Sequence, residues 1–461
     1  MLTFIFSCIL VTLLIVSVYK PIFVLKFLII FVMLQYFLTQ QLGLPERLTL
    51  TDDVTFYILL FVTLFRKQNL FKLKKDIFFV VVAIALTGIF SGFVNGSHFY
   101  VTLLGLRGYL QYILLFFLIV NLNITRDEVN RLTTFFIDTF LVLNIPLMLY
   151  QIAEVTFITH WWQPDTVKGS FGAGGSNMLT YVAILPLFFI FGRIIEEKNM
   201  SKKNILRLIM ISIIFIFSQG RYGIILTPLV FLWIYKTKLI FKKRLFKYTI
   251  LIFSVLIILF FSFFVIGEMF SGLHISEGFA GLRYYNIYKN FVDWEFNVDM
   301  GANRYLWLEL VWNYVKKSFT HILVGYGPGE FWSYISYKLK SRITMETFNY
   351  WGQLEMGHDA GCACGLVPVI GEFGFLGLFL FWYMYYKIYK FSWKVYKYSF
   401  TPELKTFCLA VIAGSIMMFF GVYVQLIWEH QNTVFFYWFF TAMFYKMYLE
   451  TIEKVNLPQR H

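Results

Sequence analysis

Residues 77–95 read IFFVVVAIALTGIFSGFVN, an apolar run without a charged side chain. A helix that crosses a bilayer needs about 20 mainly apolar residues. Every backbone N–H and C=O group in hydrocarbon must find its partner within the protein, and a helix satisfies them within one segment. The stretch therefore predicts a membrane-spanning helix, with Lys72, Lys74 and Lys75 just before it.

Runs of the same kind recur along the chain. Of the 461 residues, 59% are hydrophobic and 14% are charged, whereas a soluble domain has about 45–50% and about 25%. The sequence thus predicts an all-α, polytopic integral membrane protein with about 12–14 transmembrane helices. The candidate spans are residues 2–19, 22–38, 49–65, 77–95, 103–122, 132–154, 178–194, 205–218, 221–235, 247–266, 363–386, 405–425 and 433–449.

The basic residues collect in loops that fall on one side of the membrane when the spans alternate. Lysine and arginine are enriched in cytoplasmic loops, so this side is predicted to be cytoplasmic. The net charge of +14 is accounted for in this way, without nucleic acid as a partner. The loops hold Arg66, Lys67, Lys72, Lys74 and Lys75; Arg126 and Arg131; Arg193, Lys198, Lys202, Lys203 and Arg207; Lys236, Lys238, Lys242, Lys243, Arg244 and Lys247; and Lys387, Lys390, Lys394, Lys397 and Lys405.

One long segment without a spanning run lies on the opposite side. The predicted organisation is transmembrane helices with short loops over residues 1–266, a large extracytoplasmic loop at 267–361, and C-terminal transmembrane helices over 362–461. The cytoplasmic loops are short and contain no GxxxxGK[ST] motif, which argues against ATP-driven transport by this chain. An extracytoplasmic function is therefore the first expectation.

Four ionisable residues are predicted to lie within or beside spans, where charge is costly and often functional. Lys26, in the second span, is close enough to one end to snorkel. Arg107 opens the fifth span, where both a snorkelling interface residue and a substrate-binding residue fit. Arg221 stands with glycines between two short apolar runs, which favours a ligand site close to the backbone. Glu372 lies inside the eleventh span, where a structural partner is favoured.

The large loop contains an amphipathic pattern and turn-forming residues. Arg304 begins a predicted helix whose apolar side chains follow helical spacing, and this helix could lie on the outer interface. A glycine-rich turn follows at 325–329, and His358 stands just before the eleventh span. Arginine binds a diphosphate bidentately, and histidine can take a proton from a hydroxyl near neutral pH. These residue types suit the headgroup of a phosphorylated lipid in the outer leaflet.

Several fragments, in this order, resemble the O-antigen polymerase and O-antigen ligase family of bacterial envelopes. GSFGAGGSN at 169–177 is similar to the family's glycine-rich stretch before a span, and SQGRYG at 218–223 is similar to its Ser-Arg-Gly turn, with Gln-Gly inserted. RYLW at 304–307 is similar to its helix start, and GYGPGEF at 325–331 to its GxGxxxF motif. His358-Asp359 stands where the family often has His-Asn, and GEFGFLG at 371–377 is similar to its ExGxxG motif. The resemblance covers roughly residues 165–390.

The resemblance implies a bacterial surface-polysaccharide repeat-unit polymerase: a metal-independent, GT-C-like glycosyltransferase without a cofactor, in the bacterial inner (cytoplasmic) membrane with its active site facing the periplasm. Its substrate would be an oligosaccharide linked to undecaprenyl diphosphate within the membrane lipid, and a chain-length regulator protein is a candidate partner. The catalytic residues would be Arg221, Arg304 and His358, with Arg283 and Arg107 binding substrate.

Three alternatives stay open at this point. An O-antigen ligase, which transfers the polymer to lipid A–core, would use the same motifs. A metal-dependent GT-C enzyme could bind Mg²⁺ through outer carboxylates, and a lipid-linked oligosaccharide transporter would need no catalytic histidine. The candidate metal ligands are Asp52 and Asp53, or Asp293, Glu295 and Asp299.

Overall fold

The structure is a computed structural model whose described part is built from helices and their connections. Within the described part it contains no β-strand. The described residues are 16–45, 50–65, 75–154, 157–158, 167–171, 175–218, 221–236, 304–351, 364–423, 427–428 and 431–456.

The helices before the large loop correspond to the predicted spans. They are α1 (Pro21–Tyr36, continued by one π-turn at Phe37–Gln41), α2 (Leu50–Phe65), α3 (Lys75–Val94), α4 (Phe99–Asn121), α5 (Arg126–Glu154), α6 (Gly175–Ile195), α7 (Lys202–Phe217) and α8 (Arg221–Lys236). The predicted span 247–266 and most of 2–19 lie outside the described residues.

The large loop also forms helices where it is described. These are α9 (Arg304–Val315), α10 (Phe319–Val324), α11 (Tyr334–Leu339) and α12 (Arg342–Trp351), and they are followed by the long helices α13 (Leu366–Tyr398), α14 (Pro402–Gly421) and α15 (Gln431–Asn456). Residues 267–303 and 352–363 lie outside the described part, so the predicted domain boundaries at 266 and 361 stay predictions.

Seven of the described segments are long and apolar enough to cross a membrane, which agrees with a polytopic membrane protein. They are Pro21–Thr39, Asp76–Val94, Phe99–Asn121, Arg126–Glu154, Gly175–Ile195, Leu366–Tyr398 and Pro402–Gly421. The shorter helices α2, α7 and α8 have 16 residues each, and a helix of that length extends over about 24 Å.

Several boundaries differ from the prediction; α5 begins at Arg126 and not at 132, and α15 ends at Asn456 and not at 449. Helix α4 begins at Phe99 and not at 103, so Arg107 lies eight residues, or about 12 Å, beyond its start. Helix α13 continues to Tyr398, so the predicted basic loop after residue 386 is helical up to that point. Its lysines at 387, 390, 394 and 397 follow the three- and four-residue spacing of one helix face.

Side-chain contacts show which of the segments that connect the helices lie together at each end of the bundle. At what we call the inner end, Arg126 pairs with Glu403, and Thr406 donates a 2.8 Å hydrogen bond to Glu197. At what we call the outer end, Asn95 donates a 2.9 Å hydrogen bond to the carbonyl of Gly325. Described residues of the basic loops therefore gather at the end opposite the large loop, as the alternation of spans predicts.

Helices α6, α14 and α15 form the centre of the bundle. Helix α15 packs against α1, α4, α5, α6 and α14, and α6 packs against α7, α8, α14 and α15. In α6, 89% of the residues in its most apolar 18-residue stretch are buried. Aromatic rings fill the space, and the rings of Phe136 on α5 and Phe436 on α15 lie 4.8 Å apart. Neighbouring helices therefore enclose residues that would otherwise contact lipid.

A glycine interrupts α13 near its outer end. Gly374 has φ 64° and ψ −168°, a conformation essentially restricted to glycine. A Cβ atom at this position would lie 2.5 Å from the backbone nitrogen of Val324, at the end of α10. Gly374 thus permits both the break in α13 and the close approach of α10.

We predict that Gly374→Ala destabilises the protein by roughly 2–5 kcal/mol. The substitution combines a backbone conformation that alanine avoids with a steric overlap that costs about 1–3 kcal/mol by itself. Chemical unfolding in detergent measures the change.

Gly96→Ala is the matched control. Gly96 also has a positive φ of 65°, but a Cβ atom there meets nothing within 4 Å. Gly96→Ala should therefore be destabilised only by the unfavourable backbone conformation. Equal losses of stability in the two variants would contradict the role given to close packing at Gly374.

Candidate functional site

Residues 325–333, which we call the glycine segment, pass between α3, α4 and α13 at the outer end. The N–H groups of Tyr326 and Gly327 donate to the carbonyls of Gly371 and Glu372, at 2.7 and 3.0 Å. The N–H of Phe331 donates to Oε1 of Glu372 at 3.1 Å. Glu372 is fully buried and therefore holds this segment against α13, in agreement with the predicted structural role.

Glycine is required where this segment crosses its neighbours. A Cβ atom on Gly105 of α4 would lie 2.7 Å from the carbonyl oxygen of Pro328. One on Gly325 would lie 2.5 Å from the carbonyl carbon of Glu372. The GxGxxxF and ExGxxG fragments, which are 40 residues apart in the sequence, are therefore in direct backbone contact.

A histidine that sequence reasoning did not select joins this contact to α3. His321 Nε2 lies 2.8 Å from Oδ1 of Asn95, and its ring stacks on Tyr326 with centroids 4.0 Å apart. The amide nitrogen of Asn95 donates to the carbonyls of Ser91 and Gly325, so its oxygen is the acceptor. His321 must therefore carry its hydrogen on Nε2. Its Nδ1 is buried without a hydrogen-bond partner among the described residues.

The first turn of α9 reaches the same place. Trp307 packs edge-to-face on Trp332 of the glycine segment, with centroids 4.7 Å apart, and the ring of Tyr314 lies 5.8 Å from that of Phe331. Trp332 donates a 2.6 Å hydrogen bond from its ring to Thr347 of α12. The buried side of α9 thus faces protein at these positions, and Arg304 begins this helix three residues before Trp307.

A second cluster of polar side chains joins the start of α2 to residues 107–112 of α4. Asp53 accepts hydrogen bonds from Arg107 and, at 2.6 Å, from Gln111. Asp52 accepts a 2.9 Å hydrogen bond from Tyr112. Both carboxylates are buried, whereas about a quarter of the Arg107 side chain stays exposed. The predicted substrate-binding residue Arg107 thus already has an internal counter-ion.

This cluster also bears on the metal-dependent alternative. Asp52 and Asp53 are bound by tyrosine, glutamine and arginine donors. Within the ranges that the structure describes, no group of three or more His, Cys, Asp or Glu residues could hold a metal ion. The other candidate ligands, Asp293, Glu295 and Asp299, lie outside those ranges.

The remaining predicted site residues are placed only in part. Arg221 is the first residue of α8, which packs on α6 and α14, and Arg304 is the first residue of α9, which packs on α13. Their side chains, and the whole of Arg283 and His358, lie outside the described part. Whether the three catalytic candidates share a cavity therefore stays a prediction.

The fragment at 169–177 is held by buried amides of α5. Oδ1 of Asn144 accepts from the N–H of Ser170 at 2.9 Å, and Oε1 of Gln151 accepts from the N–H of Gly169 at 2.8 Å. Gly169 has a φ of 60°, and α6 begins at Gly175, three residues before the predicted start at 178. These bonds fix the approach to the most buried helix of the bundle.

Comparison with known proteins assigns no family and no function to this chain. No family model matches this chain, and no curated protein sequence matches it. A functional assignment must therefore be argued from the residues themselves and their geometry.

We predict that Asp53→Asn lowers the free energy of unfolding by roughly 2 kcal/mol. Removing one partner of a buried ion pair leaves the other charge uncompensated, and full burial would make the loss about 3–5 kcal/mol. Partial exposure of Arg107 reduces that cost. Chemical unfolding of Asp53→Asn, Arg107→Gln and the double variant gives the coupling energy.

The Arg126–Glu403 pair at the inner end is the control, because both side chains are more than a quarter exposed. Exposed pairs contribute about 0–1 kcal/mol. A coupling energy for Asp53 and Arg107 no larger than that of this pair would argue against a buried ion pair.

Stability should also depend on His321. Burial, and then the charge of Lys317, lower the pKa of its imidazole. A histidine with a lowered pKa in the folded state contributes stability that is complete above about pH 6.5, its ordinary pKa, and that is lost as the pH falls through the folded-state value. We therefore predict that wild type loses more stability between pH 7.5 and pH 5 than His321→Phe does.

Thermal unfolding in detergent at these two pH values measures the difference. His321→Phe keeps a ring against Tyr326 and removes the titrating group. Parallel losses in wild type and variant would exclude His321 as the source of the pH dependence.

Proposed function

We propose that this chain is an integral-membrane glycosyltransferase that polymerises undecaprenyl-diphosphate-linked oligosaccharide repeat units into O-antigen or a related surface polysaccharide. A hydroxyl of the acceptor unit attacks the anomeric carbon of the donor glycan. The bond from that carbon to the diphosphate oxygen breaks, and the lipid diphosphate leaves with the electron pair. The reaction is proposed to occur at the outer end of the bundle, on the periplasmic side of the bacterial inner membrane.

The main support for the proposal is that three of the sequence fragments contact one another. The Arg304–Trp307 turn contacts the glycine segment through the Trp307–Trp332 ring pair. The glycine segment in turn is bonded to Gly371 and Glu372. These fragments carry the resemblance to the polymerase and ligase family, and the fold brings them into contact with one another.

The chemistry needs positive charge where the diphosphate departs. Arg221 and Arg304 are proposed to stabilise the developing charge, with Arg283 and Arg107 binding the substrate. One well-placed donor of this kind contributes about 3–4 kcal/mol to the transition state. Positions at the first residue of a helix support this role for Arg221 and Arg304, because helix N-termini favour anions.

The acceptor hydroxyl needs a group that orients it or removes its proton. His358 is proposed for one of these tasks, because a histidine titrates near neutral pH. Its position just before α13 is consistent with the outer end, since the chain enters α13 from that side. No metal ion or cofactor is part of the proposal.

We predict that Arg221→Ala, Arg304→Ala and His358→Ala each abolish polymer while the protein remains in the membrane. Lysine at either arginine position should restore little, because an ammonium does not reproduce the bidentate geometry of a guanidinium. The measurement is glycan gel electrophoresis of a deletion strain that expresses each variant, with immunoblotting for protein level.

Lys316→Ala is the control, because Lys316 is an exposed cation on the same extracytoplasmic region. It should leave the polymer unchanged. The deletion strain itself separates the activities: a single repeat unit on surface glycan indicates a polymerase, whereas accumulated lipid-linked polymer without attachment indicates a ligase. Full polymer in all three alanine variants would refute the assignment of these residues.

A further inference from the structure

The outward side of α13 changes from apolar to basic toward the inner end of the bundle. Phe379 is exposed, and Tyr383 and Tyr386 follow it along the same side of the helix. Met384 and Ile388, between these positions, are buried against neighbouring helices. Beyond the tyrosines, the outward side carries four lysines at three- and four-residue spacing, which we call the lysine face. They are Lys387, which is half-buried, and Lys390, Lys394 and Lys397, which are exposed.

A contact with α3 shows the depth at which the lysine face begins. Nζ of Lys387 lies 4.0 Å from Oδ2 of Asp76, the second residue of α3. The apolar run of α3 begins at Ile77, directly after Asp76, and that of α13 ends at Tyr386, directly before Lys387. Two helices that pack on each other thus change from apolar to charged at the same level. From Leu366 to Tyr386, α13 extends over about 30 Å, which is about the thickness of the hydrocarbon core.

Tyrosine rings hold the first two ammonium groups at this level. Nζ of Lys387 lies 5.0 Å from the ring centroid of Tyr383, and Nζ of Lys390 lies 6.0 Å from that of Tyr386. Cations are attracted to the faces of aromatic rings, and tyrosine is enriched where hydrocarbon meets the lipid headgroups. The headgroup layer on each side is about 5–8 Å thick. The first two lysines therefore lie within that layer, whereas the last two begin about 12 Å beyond Tyr386.

The protein itself supplies little negative charge to the lysine face. Of the described carboxylates at the inner end, Glu403 pairs with Arg126, and Asp138 pairs with Arg207. Asp76 is 65% exposed and only just within ion-pair distance of its lysine. No carboxylate among the described side chains forms an ion pair with the other three lysines of this face. At the depth of the headgroup layer, the nearest external anions are lipid phosphates.

We propose that the lysine face binds an anionic phospholipid of the inner leaflet, with its phosphate between Lys387 and Lys390. The proposal does not depend on the polymerase function. An anionic headgroup brings a net negative charge to the two ammonium groups, whereas a zwitterionic headgroup also brings a positive charge that they repel. Each lysine near the membrane surface strengthens such binding about fivefold. The bound lipid holds the inner half of α13 at the interface, and thereby the depth of its outer end, which bonds the glycine segment.

The test is native mass spectrometry of the purified full chain in detergent, titrated with phosphatidylglycerol or with phosphatidylcholine of the same acyl chains. The dissociation constant of the first bound lipid is measured for each. Wild type should bind phosphatidylglycerol about tenfold or more tightly than phosphatidylcholine. Joint substitution of Lys387→Gln and Lys390→Gln should weaken phosphatidylglycerol binding by about 25-fold, or two factors of about five. Phosphatidylcholine binding should stay unchanged, because it gains little from the two charges.

Two controls remove the same charge elsewhere. Joint substitution of Lys394→Gln and Lys397→Gln acts on the same helix beyond the headgroup layer, and should weaken phosphatidylglycerol binding by less than about fivefold. The exposed lysines at 202 and 203, at the start of α7, should be replaceable by glutamine without effect. A wild type that binds both lipids equally would overturn the proposal. So would a loss on substituting Lys387 and Lys390 that is no larger than the loss in either control, because it would show an effect of net charge alone.

A wild-type measurement decides the matter if the variant at Lys387 and Lys390 does not fold. The affinities for the two lipids are then compared in detergent by equilibrium dialysis at low and high salt. Raising the salt from about 0.1 M to about 1 M shortens the screening length from about 10 Å to about 3 Å. The preference for phosphatidylglycerol should disappear at the higher concentration. A preference that is unchanged by salt would exclude the lysine face as its source.

Discussion

Backbone polar groups away from water must all find partners, and this constraint governs the outer end of the bundle. An irregular segment such as 325–333 can lie between helices only if its N–H groups are bonded. The break in α13 at Gly374 meets that need, because the carbonyls of Gly371 and Glu372 accept the N–H groups of Tyr326 and Gly327. The broken helix and the glycine segment thus depend on each other. The position of the first turn of α9 depends on this pair of elements, because Trp307 packs on Trp332 of the glycine segment.

Much of the fold could be predicted because membrane spans are encoded by length and apolarity alone. The limits of α3, α5 and α6 lie within a few residues of the apolar runs, apart from the polar first turn of α5. Hydropathy predicts a loop in place of the extension of α13 to Tyr398, because lysine lowers the apolarity of this stretch. The spacing of those lysines carries the helical signal that hydropathy misses. The outward extension of α4 was missed for a related reason: it packs on the glycine segment, and apolar length does not report such packing.

The site was harder to predict, because its partners are distant in sequence. Asp53 and Arg107 are 54 residues apart, and no pattern in either stretch indicates that they meet. Glycines at 325, 327 and 374 were noticeable as motif members, but only the fold shows that they allow two backbones to touch. His321 was passed over because a single histidine in an outer loop has no distinguishing sequence context.

The central position of α15 has a consequence for how the protein is made. In chain order α15 is the last described helix, yet it contacts α1, α4, α5, α6 and α14. While the ribosome is still adding residues before 431, the earlier helices already reside in the bilayer around an unfilled interior. Assembly of the bundle therefore needs α15 to be in place, and a chain that stops before Gln431 lacks the centre of the bundle.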